Sequence, residues 1–178
     1  MEAPKRIRPK GPADYLEVMT KAVFQAGISW KVIEAKWDGF REAFHGFDPE
    51  WIAGLDPPDV DRLAEDTRIV RNRRKIEATV HNAATMLDLE RENGTFKRYL
   101  RSHHDFEETV ADLKRRFKFL GDTGAYYFLH VVSEEVPPHE EWMRTHGQGT
   151  GRRPSRTKPT RRTTVAGRAG PAPGEADA

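Results

Sequence analysis

The sequence predicts an all-α protein, a multi-helix bundle, and three observations support this prediction. Apolar residues recur at the three- and four-residue spacing of amphipathic helices through most of the chain. Polar cap residues, several of them followed by proline, precede these segments, and glycine follows several of them. No segment has a convincing period-two alternation between turn signals, which would indicate a strand.

The first two predicted helices are separated by a glycine. Pro12 suits the first turn of a helix, where a missing amide donor is tolerated. Gly27 favours the left-handed conformation that ends many helices. Ser29 is therefore predicted to cap a second helix. The apolar side of that helix carries Trp30, Ile33, Trp37, Phe40 and Phe44.

Two short helices and one long helix are predicted next. The pairs Asp48-Pro49 and Asp56-Pro57 each combine a capping side chain with a proline, which is typical of a helix start. A long helix is predicted from about Val70 to Glu92, because apolar residues recur there at helical spacing. The pair Asn93-Gly94 provides its stop.

The last predicted elements are two helices joined by a glycine turn. Residues 107–116 form the first of these helices, and residues 124–132 form the second, which ends before Pro137-Pro138. Residues 117–123 form the turn between them, where Gly121 can adopt dihedral angles that other residues avoid. Such a hairpin leaves amides free at the start of the second helix, and these amides can bind an anion.

Length and composition limit the possible classes of protein. With 178 residues, 37% hydrophobic residues, four Trp and nine Phe, the chain can form one domain with an ordinary core. It contains no apolar stretch of membrane-spanning length and no apolar signal core, so a cytoplasmic location is expected. The absence of cysteine excludes disulfides, a thiol nucleophile and any Cys-ligated metal.

The charge is unevenly distributed and divides the chain into three parts. Residues 144–178 carry a net charge of +6 with almost no large apolar residue, so this tail is predicted to be disordered. The helical domain is predicted to span residues 12–143, after a basic segment at residues 1–11. Two more basic patches, at residues 68–75 and 114–118, are either DNA-binding surfaces or ordinary solvated helix faces.

Four ordered motifs resemble those of the DNA-3-methyladenine glycosylase I family. The motifs are residues 24–30 (FQAGISW), residues 40–49 (FREAFHGFDP), residues 69–78 (IVRNRRKIEA) and residues 117–121 (FKFLG). The resemblance covers roughly residues 15 to 143, and four motifs in the same order are far more specific than one. It implies the helix-hairpin-helix DNA glycosylase fold, with double-stranded DNA containing alkylated bases as the partner.

The resemblance assigns roles to several residues. Trp30 matches the tryptophan that stacks on the extruded base, and Phe24 is expected to shape the same pocket. Gly27 and Ile28 match the loop that fills the emptied base step. The hairpin residues Lys118, Gly121 and Thr123 match the phosphate-binding turn. For Trp30 and Ile28, the alternative is that they only fill the core.

The chain also departs from the family. The family has a glutamate eight residues before the stacking tryptophan, where this chain has Ala22. The family binds zinc through two cysteines and two histidines, and only His139 resembles one of these ligands. We therefore expect no metal and no cofactor. The adjacent His103 and His104 are predicted to lie in a loop or at the surface, because successive helical residues point about 100° apart.

A replacement for the missing acid is predicted after the last helix. Many glycosylases of this fold place a catalytic carboxylate roughly twenty residues after the hairpin glycine, and Glu141 stands at that distance from Gly121. Its neighbour Glu140 is the second candidate. Such a carboxylate would stabilise the developing positive charge on the sugar. The alternative, two solvent-exposed glutamates on a turn, remains open.

The sequence thus predicts a monofunctional DNA glycosylase, a hydrolase that removes alkylated purines such as 3-methyladenine in base excision repair. No lysine matches a Schiff-base nucleophile, so strand cleavage is not expected. The alternative is a catalytically inactive DNA-binding module that recognises damaged or distorted duplex, which Ala22 favours. A monomer without membrane association is expected in either case.

Overall fold

The computed structural model describes residues 4–146 and contains nine α-helices and no strand in that part of the chain. The predicted all-α class is therefore confirmed. The helices are α1 (Pro12–Gln25), α2 (Trp30–Ala43), α3 (Pro49–Ala53), α4 (Pro57–Glu65), α5 (Arg73–Asn93), α6 (Phe96–Leu100), α7 (Phe106–Arg116), α8 (Asp122–Val131) and α9 (His139–His146). Over the same residues, no helix is long and apolar enough to cross a membrane.

The longest helix, α5, is central to the bundle and packs against α1, α3, α4 and α6. It begins at Arg73 instead of near Val70, because the Asn72 side chain accepts a hydrogen bond from the Lys75 amide and caps the helix there. The buried apolar residues on α5 include Ile76, Ala83, Met86 and Leu89.

Aspartates start α3 and α4 as the sequence predicts. The Asp48 side chain accepts a hydrogen bond from the Glu50 amide, while Asp56 and Asp59 form a reciprocal capping box. Ser29 occupies the position before α2, but its hydroxyl makes no capping hydrogen bond. Local sequence signals therefore predict where these helices begin, even where the capping bond itself does not form.

Two helices were not predicted, α6 and α9. The second of these follows Pro137-Pro138, where the sequence suggested that the helical structure ends. It forms because Trp142 is buried, stacked on Tyr126 and edge-on to Phe106. Helix α9 runs to His146, three residues past the domain boundary that the sequence predicted at residue 143.

The basic N-terminal segment, predicted at residues 1–11, lies against the end of α8 where the structure describes it. The Ile7 amide donates a hydrogen bond to the Val131 carbonyl at 2.7 Å. The Arg6 guanidinium donates to two further backbone carbonyls. From residue 147 onward, the predicted basic tail lies outside the described residues.

One largely buried carboxylate, Asp112, ties α6 to α7. It accepts hydrogen bonds from the Tyr99 hydroxyl at 2.8 Å, from the His103 ring at 2.9 Å and from Arg116 at 2.9 Å, and it also pairs with Arg115. The His103 side chain is only 8% exposed. His103 lies in the loop between α6 and α7, one of the two positions that the sequence predicted, but its ring points inward to this carboxylate instead of outward to solvent.

These contacts change the acidity of the buried groups. Burial alone would raise the pKa of Asp112, but hydrogen bonds from His103, Arg115 and Tyr99 outweigh it and hold the pKa well below its usual range. Burial, followed by the hydrogen bond to the carboxylate, raises the pKa of Tyr99. The network is therefore most stable with the carboxylate ionised and the phenol neutral.

We predict that Asp112→Asn lowers the free energy of unfolding by about 2 kcal/mol at pH 7, because the buried Tyr99 hydroxyl and His103 ring lose a charged acceptor. A lowered pKa stabilises the fold at pH values above the unfolded-state pKa of about 3.9, and this contribution is lost as the pH falls further. The difference between wild type and variant should therefore shrink below pH 4 in urea unfolding.

The matched control is Asp88→Asn, which removes an exposed ion pair with Arg91 and should change stability by less than about 0.5 kcal/mol. A loss in Asp112→Asn that is the same at pH 7 and pH 3 would contradict the role given to the ionised carboxylate.

Candidate active site

A cleft of about 690 Å³ opens between the end of α1, the start of α8 and α9. Three of the predicted site residues, Gly27, Gly121 and Thr123, lie on it together. The structure thus brings the predicted loop and hairpin to one place. The residues lining the cleft are Ala22, Gln25, Ala26, Gly27, Lys114, Phe119, Gly121, Asp122, Thr123, Gly124, Tyr127, Met143 and His146.

The loop after α1 is held by a buried lysine. The Lys75 ammonium donates hydrogen bonds to the carbonyls of Phe24 at 3.1 Å and Ala26 at 2.5 Å, and burial lowers its pKa. Gly27 follows with a φ of +77°, a conformation that side chains other than glycine rarely adopt. The reading of Lys75 as part of a solvated basic face is wrong, because this side chain satisfies the carbonyls at the end of α1 instead.

The hairpin after α7 is held by a buried amide. The Asn82 side chain accepts a hydrogen bond from the Lys118 amide at 2.8 Å and donates one to the Lys118 carbonyl at 3.1 Å. The next residue, Phe119, is half exposed on the cleft with a φ of +57°, which is strained for an aromatic residue. The two hydrogen bonds from Asn82 on α5 help to hold this strained backbone in place.

The predicted base-contacting and loop residues differ in how deeply their side chains are buried. Trp30 is 50% exposed at the first position of α2, directly after the loop, but it is not one of the residues that line the cleft. Ile28 is partly buried and packs against the core. Phe24 is fully buried, edge-on to Phe40, so its side chain does not line the cleft. Phe24 was expected to shape the base pocket, and its ring instead fills the core behind the loop.

The predicted acids lie on α9, and the structure does not place either of them on the cleft. Met143 and His146 are the α9 residues that line it. Glu141 is two residues from Met143 and hence about 160° away around the helix, while Glu140 is about 60° away. Both glutamates are exposed. The placement of Glu141 therefore gives no support to its predicted catalytic role, because it faces away from the cleft.

Ala22, where the family has its glutamate, lines the cleft, and so do residues such as Gln25 and Tyr127 that sequence reasoning missed. Ala22 lies beside Gly124, where an added Cβ would be 3.9 Å from the alanine Cβ, so small residues let α1 and α8 approach closely. Gln25 and Tyr127 contribute neutral polar groups. Burial is the main cause that raises the pKa of Tyr127, so its hydroxyl is a hydrogen-bond donor at neutral pH. Gln25 stands inside the FQAGISW motif, which is the signal that could have identified it.

Most of the basic patches are neutralised by nearby acids. Arg68 pairs with Asp66, and Lys114 pairs with Asp122 at 2.8 Å. The acid Asp112, described above, neutralises the end of α7. Within the described part of the chain, no ion pair involves Arg71, Arg74 or Lys118. These three cations remain available for phosphates.

The described residues do not fit the zinc site implied by the resemblance. The chain has no cysteine, and residues 4–146 contain no group of three His, Asp or Glu side chains placed to hold a metal. His139, the one residue that resembles a ligand, is exposed with its ring edge-on to Tyr126. We therefore derive no step of the chemistry through zinc.

Comparison with known proteins gives consistent matches. The model of the methyladenine glycosylase family matches residues 9–116 and ends just before the hairpin. The DNA-3-methyladenine glycosylase of Haemophilus influenzae is 33% identical over 129 residues, covering 61% of this chain and 70% of that protein. DNA-3-methyladenine glycosylase 1 of Escherichia coli is 33% identical over 128 residues, covering 60% and 68%.

Solved structures agree with these sequence matches. The structure of 3-methyladenine DNA glycosylase I from Staphylococcus aureus, which concerns 3-methyladenine recognition, superposes with a TM-score of 0.62 at 27% identity. The superposition covers 71% of this chain and 78% of that chain. The expected helix-hairpin-helix glycosylase architecture is therefore confirmed.

We predict that Asn82→Ala lowers the free energy of unfolding by about 1–3 kcal/mol, because the partly buried amide and carbonyl of Lys118 lose their partners. It should also weaken binding to duplex DNA, since the hairpin loses its anchor. Urea unfolding and fluorescence anisotropy with a short duplex measure the two effects. The control is Asn93→Ala on the same helix, because the Asn93 side-chain amide donates its hydrogen bond to the Leu89 carbonyl of α5 and not to the hairpin. Equal DNA binding by Asn82→Ala and wild type would contradict the proposed anchoring.

Proposed function

Because this chain belongs to the methyladenine glycosylase family, we propose that the cleft between α1 and α8 holds the alkylated purine that it removes from DNA. The chain is a DNA glycosylase that hydrolyses the N-glycosidic bond of alkylated purines in DNA repair. The observation that carries the proposal is the meeting of the 24–30 loop and the 117–123 hairpin at one cleft. An inactive DNA-binding module is not favoured by these comparisons.

Trp30 is proposed to stack on the extruded base. Its ring is half exposed next to the loop, whereas the other tryptophan of the same helix, Trp37, is buried in the core. A large π surface suits an electron-poor alkylated purine, and stacking contributes about 1–3 kcal/mol per base. The exposure of Trp30 thus favours the base-binding role over core filling.

The hairpin is proposed to bind a phosphate of the DNA backbone. Gly121 precedes α8, and no side chain caps that helix, so the first amides remain available to an anion. Thr123 is exposed beside them, and Lys118 adds a positive charge three residues before Gly121. Gly27 and Ile28 are proposed to enter the base step that the extruded nucleotide leaves.

Gln25 and Tyr127 are proposed to contact the edge of the base. They line the cleft, and both can donate hydrogen bonds at neutral pH. The family has a glutamate where this chain has Ala22, so recognition here depends on neutral groups in place of that charge. The preferred lesion should therefore be set by stacking and by the shape of the cleft.

We also propose that the protein works as a monomer in the cytoplasm. The DNA duplex is the partner, and the exposed Lys118 in the hairpin supports this.

We predict that Trp30→Ala reduces single-turnover release of 3-methyladenine from alkylated duplex by about 10- to 100-fold, because the flipped base loses its stacking partner. Trp30→Phe should keep much of the activity, since a smaller ring still stacks. The measurement is chromatography of the free base after incubation with excess enzyme.

The matched control is Val32→Ala, which removes another exposed apolar side chain from α2 and should leave release near wild type. Full activity of Trp30→Ala would contradict the stacking role. The absence of any base release by the wild-type protein would contradict the proposed function as a whole.

A further inference from the structure

We propose that Asp122 is the carboxylate that stabilises the sugar cation and accepts the proton of the attacking water. This inference rests on the proposed function of the cleft. Hydrolysis of an N-glycosidic bond develops positive charge on the deoxyribose, and a nearby carboxylate lowers the energy of that charge. Ala22 occupies the family's glutamate position in this chain, and the two glutamates of α9 do not line the cleft. The carboxylate must therefore come from another residue.

The cleft itself identifies the acid. Among the described residues that line it, Asp122 is the one carboxylate. It is the first residue of α8 and directly follows the hairpin glycine Gly121. The side chain is 34% exposed, so it is accessible to substrate without being fully surrounded by water.

The position of Asp122 relative to the two proposed binding regions is appropriate for the sugar. The amides at the start of α8 are proposed to hold a phosphate, and Trp30 is proposed to stack on the base. The deoxyribose lies between its phosphate and its base because it is bonded to both. A side chain that starts from the phosphate-binding turn and lines the base cleft therefore lies near the sugar.

A lysine fixes the carboxylate in place. The Lys114 ammonium, in the last turn of α7, contacts one carboxylate oxygen, Oδ1 of Asp122, at 2.8 Å and lines the same cleft. The second oxygen, Oδ2, has no hydrogen bond among the described residues. Lys114 therefore acts as a positioning residue, and it also offsets the repulsion between Asp122 and the DNA phosphates.

The proposed step is balanced in atoms and charge. The bond between C1′ and the purine nitrogen breaks, and its electron pair goes to the cationic alkylated purine, which leaves as a neutral base. Water forms a new bond to C1′, and its proton goes to the Asp122 carboxylate and then to solvent. No other reactant is needed.

The test compares Asp122→Asn with wild type in single-turnover release of 3-methyladenine, together with anisotropy of duplex binding. We expect release to fall by about 10²-fold, while DNA binding stays equal or becomes tighter because a negative charge near the phosphates is removed. Asp122→Ser is the second variant, and thermal melting checks that both variants fold. The control is Asp38→Asn, which changes an exposed acid on α2 and should leave release unchanged.

Release by Asp122→Asn within about twofold of wild type would overturn the inference while leaving the proposed function intact. A fall that occurs only in Glu141→Gln would also overturn it, because the acid would then come from α9. If the wild-type protein releases no base, the proposed function and this inference both fail.

Discussion

Two buried polar side chains of α5, Lys75 and Asn82, hold the two segments that are proposed to contact DNA. Lys75 bonds to the carbonyls at the end of α1, and Asn82 bonds to both backbone groups of Lys118 in the hairpin. These residues are seven positions apart, so they share one face of the helix about 10 Å apart along its axis. The central helix thus sets the spacing between the loop and the hairpin on the two sides of the cleft.

This arrangement explains how strained backbone can persist beside the cleft. Phe119 has a positive φ that costs of order 1–3 kcal/mol, and Gly27 takes a left-handed conformation at the opposite loop. An unpaired buried amide or carbonyl costs a similar amount, so breaking either anchor is unfavourable. Rigid loops are useful to an enzyme that must hold an extruded base in one orientation.

Some cations among the described residues are neutralised by acids and others are not. Acids such as Asp66 and Asp112 neutralise arginines away from the cleft, while Arg74 and Lys118 have no ion pair in the region that the structure describes. Residues 1–143 have a net negative charge, so attraction to DNA depends on these local cations. Under the proposed function, recognition therefore depends on specific contacts at the cleft and not on overall charge.

Local signals in the sequence were sufficient for the helix starts at Asp48 and Asp56, because a capping side chain acts on neighbouring amides. The motifs also located the loop and the hairpin. They could not locate the acid, because a separation of twenty residues between Gly121 and Glu141 says nothing about which face of α9 a side chain occupies. The burial of Lys75 could not be predicted either, because it depends on a tertiary contact with the end of α1. The spacing of residues along α5 carries no information about that contact.

The central claim is that the α5-anchored cleft is the base-binding site, and an NMR titration of the full chain with free 3-methyladenine tests it most directly. We predict saturable shifts of backbone amides in two segments far apart in sequence, residues 22–30 and 119–127, with little change elsewhere. Shifts concentrated at the separate cavity of about 630 Å³ lined by Tyr99, His103 and Asp112 would contradict the account.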